Sequence, residues 1–136
     1  MGTALKVAVA TLIGCGALLL GLGVAIWTGD GDGLIPLHVA IGVVLVLTLW
    51  TVCGIAARSG VSSGTVAFAA AWGVLVVVLG LIQEELVPGD LHWTIQVLHI
   101  LVSMGAIWWG RRLAGLIARA RLAGASGSMQ RASATW

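Results

Sequence analysis

Charge is what this sequence has least of. Only 9% of its 136 residues are Asp, Glu, Lys or Arg, against 60% hydrophobic, and the mean hydropathy is +1.09. A domain of this length cannot stay in water with so few charges, so a soluble globular fold is excluded and the chain belongs in lipid. Between Val7 and Trp27, and again between Ile35 and Ala57, there is no Asp, Glu, Lys or Arg at all. The mid-membrane carboxylate that drives many small proton-coupled exporters is therefore missing, which weighs against a transporter of that type. Cysteine is scarce too. Cys15 and Cys53 both fall inside apolar runs, with no Cys-x-x-Cys and no Cys/His cluster, so neither a disulfide framework nor a zinc site is supported and both read as packing residues. The chain has no Ser/His/Asp set, no phosphate-binding glycine loop after a strand and no nucleotide fingerprint, so hydrolase or kinase chemistry is not expected. The net charge of +2 and pI near 8.9 come from basic groups that flank apolar runs or lie near the C-terminus. Membrane topology accounts for them, and nucleic acid is not indicated as a partner.

What the sequence does have is four apolar runs. A bilayer core needs about 20 apolar residues per helix, and the chain supplies apolar runs at about 7–27, 34–57, 66–82 and 91–110, read as helices over about 7–27, 34–57, 66–86 and 91–112. The connections are short: 28–33 is rich in Gly and Asp, 58–65 in Gly and Ser, and Pro88 and Gly89 mark a turn before the last span. Short connections force antiparallel neighbours, so the expected fold is an all-α integral membrane four-helix bundle, up-down-up-down, over residues 1–116. Every Lys and Arg lies on one side of this scheme: Lys6, Arg58, and Arg111, Arg112, Arg119, Arg121 and Arg131. That side is the cytoplasmic one by the positive-inside rule, with both termini inside. All five acids, Asp30, Asp32, Glu84, Glu85 and Asp90, fall in or beside the two opposite connections. Trp27, Trp93, Trp108 and Trp109 stand at span ends and read as interfacial anchors. The first run is long for a signal peptide and lacks an Ala-x-Ala site before the Asp/Gly loop, so it reads as a retained helix. Residues 117–136, rich in Ala, Gly, Ser and Arg, read as a basic, disordered cytoplasmic tail.

Few polar side chains interrupt the lipid phase, and burying them is costly, so they are the candidates for function. On the fourth span His92, Gln96, His99 and Ser103 follow at spacings of four, three and four, and so form one polar stripe. On the second span His38 stands two residues after Pro36 and four before Gly42. The second and fourth helices of an up-down-up-down bundle are parallel, and histidines entering from one membrane face can meet across the core. This is the arrangement a bis-histidine haem b needs, with His38 and His99 as metal ligands, Gln96 nearby, and Gly42 making room for the flat macrocycle. Depth leaves the partner of His38 open. His38 lies twenty residues from Arg58 and His92 nineteen from Arg111, so those two are level near the outer surface. His99 is twelve residues from Arg111, on the order of 10 Å deeper, so pairing it with His38 requires a tilt or an offset between helices. His99 is nevertheless the better-buried candidate, because His92 adjoins Trp93 and Asp90 and reads equally as an interfacial residue. Gln83, Glu84 and Gln96 lie toward the same outer half, where they are placed to hydrogen-bond a quinone carbonyl or to relay protons. The plainer alternative for every one of these side chains is a hydrogen-bonded packing or interfacial role. Gly14, Gly16, Gly21 and Gly23 place small residues at seven-residue spacing on the first span, where another backbone can approach closely.

The stretches 37–50 and 92–110, with His-x-x-x-Gly on one span and a second His seven residues after the first on a later parallel one, resemble small bacterial four-span membrane proteins. They resemble more loosely the membrane b-type cytochromes of the b561 kind. The likeness covers the second and fourth helices, about a third of the chain. It implies axial ligation by His38 and His99 and electron exchange with a quinone pool. Such cytochromes commonly carry two histidine pairs, but the first and third spans here hold no histidine, so one haem at most is expected. Two further functions fit the same residues. One is a non-catalytic accessory or assembly subunit of a larger membrane complex or homo-oligomer, docked through the glycine-lined first helix. The other is a small oligomeric transporter or channel lined by the polar stripe.

Overall fold

The chain was analysed as a computed structural model that describes residues 2–29 and 31–133. Four helices run over Thr3–Trp27 (α1), Ile35–Arg58 (α2), Ser63–Ile82 (α3) and His92–Ser133 (α4), with a 3-10 turn at Asp32–Leu34. No strand occurs among the described residues. Each helix is long and apolar enough to cross a membrane. The chain is thus an all-α, multi-pass membrane protein in contact with the bilayer, because a spanning helix is the structure that satisfies every backbone N–H and C=O within itself. The breaks fall where the backbone permits them. Gly29, Gly60 and Gly89 take φ of 87°, 80° and 91° in the three connections, a left-handed conformation that costs glycine almost nothing. Pro36 sits in the first turn of α2, where its missing N–H would have had no partner.

Val87 is the one non-glycine with positive φ among the described residues, at 48°. A β-branched side chain is disfavoured there by about 1–2 kcal/mol. Val87→Gly is therefore expected to stabilise the protein by roughly 1 kcal/mol, read as a rise in resistance to unfolding by denaturing detergent.

Consecutive helices pack as antiparallel neighbours and α1 closes the ring against α4; α2 and α4 also touch, whereas α1 and α3 do not. The cross-section is a rhombus with α2 and α4 on its short diagonal. Leu5, Leu12, Leu45, Leu49, Val52, Leu113 and Ile117 form the fully buried centre. On α1, α2 and α4 this core fills the arginine-rich portion of the bundle, while on α3 it continues through Val76 to Leu79. No residue of α1 after Leu12, of α2 before Leu45 or of α4 before Val102 is fully buried.

The helix boundaries differ from expectation in two places. α3 ends at Ile82 rather than near 86, and turn residues take over before Pro88. α4 does not stop near 112 but continues as one helix to Ser133. Ala, Leu and Arg keep the helix going, and Leu113, Ala114 and Ile117 turn inward into the core. A Cβ on Gly2 would lie 3.3 Å from the Arg121 guanidinium, so the start of α1 lies beside the α4 extension. Residues 134–136 of the expected tail lie outside the described residues.

Two tryptophans join α2 to α3 and α3 to α4 by the same device. Trp50 Nε1 donates to the Ala70 carbonyl at 3.1 Å, and Trp72 Nε1 donates to the Val102 carbonyl at 2.8 Å. In each case the glycine three residues further on, Gly73 or Gly105, lies under the indole, where a Cβ would come within 2.7 Å or 2.6 Å of the ring nitrogen. Small residues let helices approach in lipid, and here they also bring an indole N–H within reach of a carbonyl on the neighbouring helix.

Candidate functional site

His38 lies in the first turns of α2 and His99 two turns into α4, on the two helices that form the short diagonal. Their ring centres are 6.5 Å apart, with the planes tilted by 42°. The helix offset that this pairing needs is present, and α4 shows where it comes from. Leu113 and Ile117 are buried inside the bundle, so Arg111 does not mark its edge. Arg119 is the better level: His99 is twenty residues from Arg119, just as His38 is twenty from Arg58.

Nδ1 of His38 and Nδ1 of His99 are both buried, and neither has a hydrogen-bond partner within the chain. A buried polar atom without a partner costs about 1–3 kcal/mol, so this site carries two such penalties side by side. The flanking helices leave space instead of adding side chains. Gly23 of α1 lies against His38 and Gly80 of α3 against His99, where a Cβ would be 3.6 Å and 3.2 Å from the respective Cε1. The tier of the bundle at this depth thus reads His, Gly, His, Gly around the rhombus, with buried Leu79 beside Gly80.

No known family places it. The chain matches no protein-family model, and no similar protein is found among curated proteins or solved structures.

The remaining candidates lie elsewhere. His92 Nδ1 donates to the Leu86 carbonyl at 3.2 Å, so this ring closes the α3–α4 connection. Gln96 is half-buried one turn before His99. Gly42 has no atom within 4 Å of where its Cβ would be, so it faces open space, and the glycines against the rings are Gly23 and Gly80. Gly23 belongs to the seven-residue glycine series on α1, which marks it for close packing without naming the neighbour. Gly80 carries no such signal; it stands out only once α3 is packed against α4. The inward members of that series are Gly16, which meets Ile107, and Gly23; Gly14 and Gly21 meet nothing within 4 Å.

The arrangement can hold one group between two imidazoles. Nitrogens at about 2.0–2.1 Å on opposite sides of a first-row metal put the two ring centres roughly 6.4 Å apart, close to the 6.5 Å found. No cluster of three or more His, Cys, Asp or Glu occurs among the described residues. On this basis His92→Ala is expected to leave any cofactor spectrum unchanged, whereas Gly80→Val, which drives a branched side chain into His99, is expected to lower cofactor occupancy severalfold. Both are read by absorbance of the purified protein.

Proposed function

We propose that the chain is a membrane electron-transfer protein that holds one b-type haem between His38 and His99 and exchanges electrons with a quinone. One observation carries this reading: two half-buried imidazoles from diagonal helices lie with ring centres 6.5 Å apart and each has an unpartnered Nδ1, and a shared ligand would compensate both. Bound there, a haem would supply reversible one-electron chemistry between ferric and ferrous iron.

The chain's own residues do the rest. His38 and His99 hold and orient the cofactor from two helices that touch, so its position is set by helix packing. Gly23 and Gly80 keep side chains off the ring edges. The packed layer from Leu45 and Val102 downward excludes water on one side and, by lowering the local dielectric, helps set the potential. Gln96 on α4 and Gln83 at the end of α3 lie toward the open side, where a side-chain amide can hydrogen-bond a quinone carbonyl. By the positive-inside rule the arginine-rich end is cytoplasmic and the haem lies toward the outer leaflet of a bacterial inner membrane. A C-terminal reporter active only in the cytoplasm is expected to score positive, and one active only outside to score negative.

The deciding experiment is a reduced-minus-oxidised spectrum of protein expressed with added haem and purified in detergent. A Soret band with the α and β bands of bis-imidazole iron supports the proposal; colourless protein removes it. The accessory-subunit reading keeps support from one feature of α1. Ala10, Gly14, Ala17 and Gly21 form an outward, exposed row that suits close contact with another helix. Gly14→Leu with Gly21→Leu is expected to shift the detergent-extracted species to a smaller size if that row is in use.

A further inference from the structure

We infer that the arginine-rich end of α4 is a binding site for one anionic phospholipid, with its phosphate between Arg111 and Arg112 and an acyl chain along Met104, Ile107 and Trp108. This inference does not depend on the haem reading.

Two clefts meet at Arg112. One, of about 610 Å³, is lined by Met104, Ile107, Trp108, Arg111 and Arg112. The other, of about 320 Å³, lies between α4 and the α2–α3 connection and includes Ser62, Thr65, Arg112 and Leu116. The Arg112 guanidinium is 5.3 Å from the Trp108 ring centre and 5.8 Å from that of Trp109. The two indoles meet edge to face at 4.9 Å. Cation–π contact with both rings holds the cation against α4, from where its long side chain can reach toward the arginine-rich surface, but neither ring neutralises it. Nor does a side-chain carboxylate: all five acids fall in the connections at the other end of the bundle. Anionic headgroups supply the missing charge, and basic pockets between helices at this depth suit them.

The shape of the first cleft favours a lipid over a free anion. Met104 precedes Arg112 by eight residues, about 12 Å along the helix toward the bilayer centre, so the lining changes from cationic to apolar in the direction an acyl chain runs. The second cleft adds a polar rim. Ser62 Oγ and Thr65 Oγ1 are 2.8 Å apart; one donates to the other, which leaves the second hydroxyl's proton free for a phosphate or glycerol oxygen.

Native mass spectrometry of the full chain, exchanged into phosphatidylglycerol or phosphatidylcholine, tests this. Phosphatidylglycerol is expected to be retained at least about tenfold more strongly. That preference should disappear in R111Q/R112Q and persist in R58Q/R119Q, which removes the same charge outside the site; if the first pair does not extract, R112Q alone decides. Equal retention of the two lipids by the unaltered chain overturns the inference, as does an equal loss in both double variants. Displacement of the lipid by inorganic phosphate at tens of millimolar also overturns it, because the site would then take a free anion.

Discussion

Replacing either His38 or His99 with alanine is expected to abolish the bis-imidazole spectrum proposed for haem-supplemented protein, and replacing both is expected to do no more than replacing one. If both imidazoles hold the proposed haem, either loss would break the pair; effects that act as a unit are not additive. The loss is large because an axial ligand is removed outright, whereas a group that merely orients a ligand is worth about 10–100-fold in affinity. Free imidazole added to His99→Ala should restore the spectrum by entering the space left behind, a rescue that a misfolded variant would not show. The alternative makes an opposite prediction. If the pair binds nothing, its two unpartnered nitrogens are pure cost, and His38→Leu with His99→Leu should stabilise the bundle by roughly 2–6 kcal/mol. Equilibrium unfolding in mixed detergent separates the outcomes, since a cofactor site should lose both its spectrum and any stabilisation by added haem.

Gly105→Val should destabilise the bundle by about 2–4 kcal/mol. A Cβ at Gly105 would lie 2.6–2.7 Å from three atoms of the Trp72 ring. That ring is rigid, and its N–H is committed to the Val102 carbonyl, so it cannot move aside without leaving the indole donor unpaired. Gly110 shows why the nature of the neighbour decides the size of the effect. The atom a Cβ would meet there is the end of the Leu12 side chain, which can rotate away. Gly54, with nothing within 4 Å, should accept alanine with little change. Steric-trap or mixed-detergent unfolding of the four variants should place Gly105 and Gly73 together at the costly end. A Gly105 value near that of Gly54 would mean the indole does not sit where it is described.

Much of the molecule is legible in its residues. Hydropathy, the glycine and proline breaks, and the side on which each Lys and Arg falls follow from local composition, because the cost of a charge or an unpaired amide in hydrocarbon is paid residue by residue. That reasoning located four spans, short connections and a polar stripe on α4. It misjudged the length of α4, since a tail rich in Ala and Ser reads as weakly structured until Leu113 and Ile117 find the core. For the same reason Arg111 was a poor depth marker and His99 seemed too deep for His38.

Composition and spacing alone determine that this chain crosses a membrane four times with few polar groups to spare, because solvation by lipid acts on each segment independently. Which of those groups meet was decided only by the packed bundle. The offset between α2 and α4, the glycines of α1 and α3 beside the rings, and the diversion of His92 to the Leu86 carbonyl all depend on how ridges of one helix settle against another. Those contacts are a property of pairs of surfaces, and no single stretch of sequence contains them.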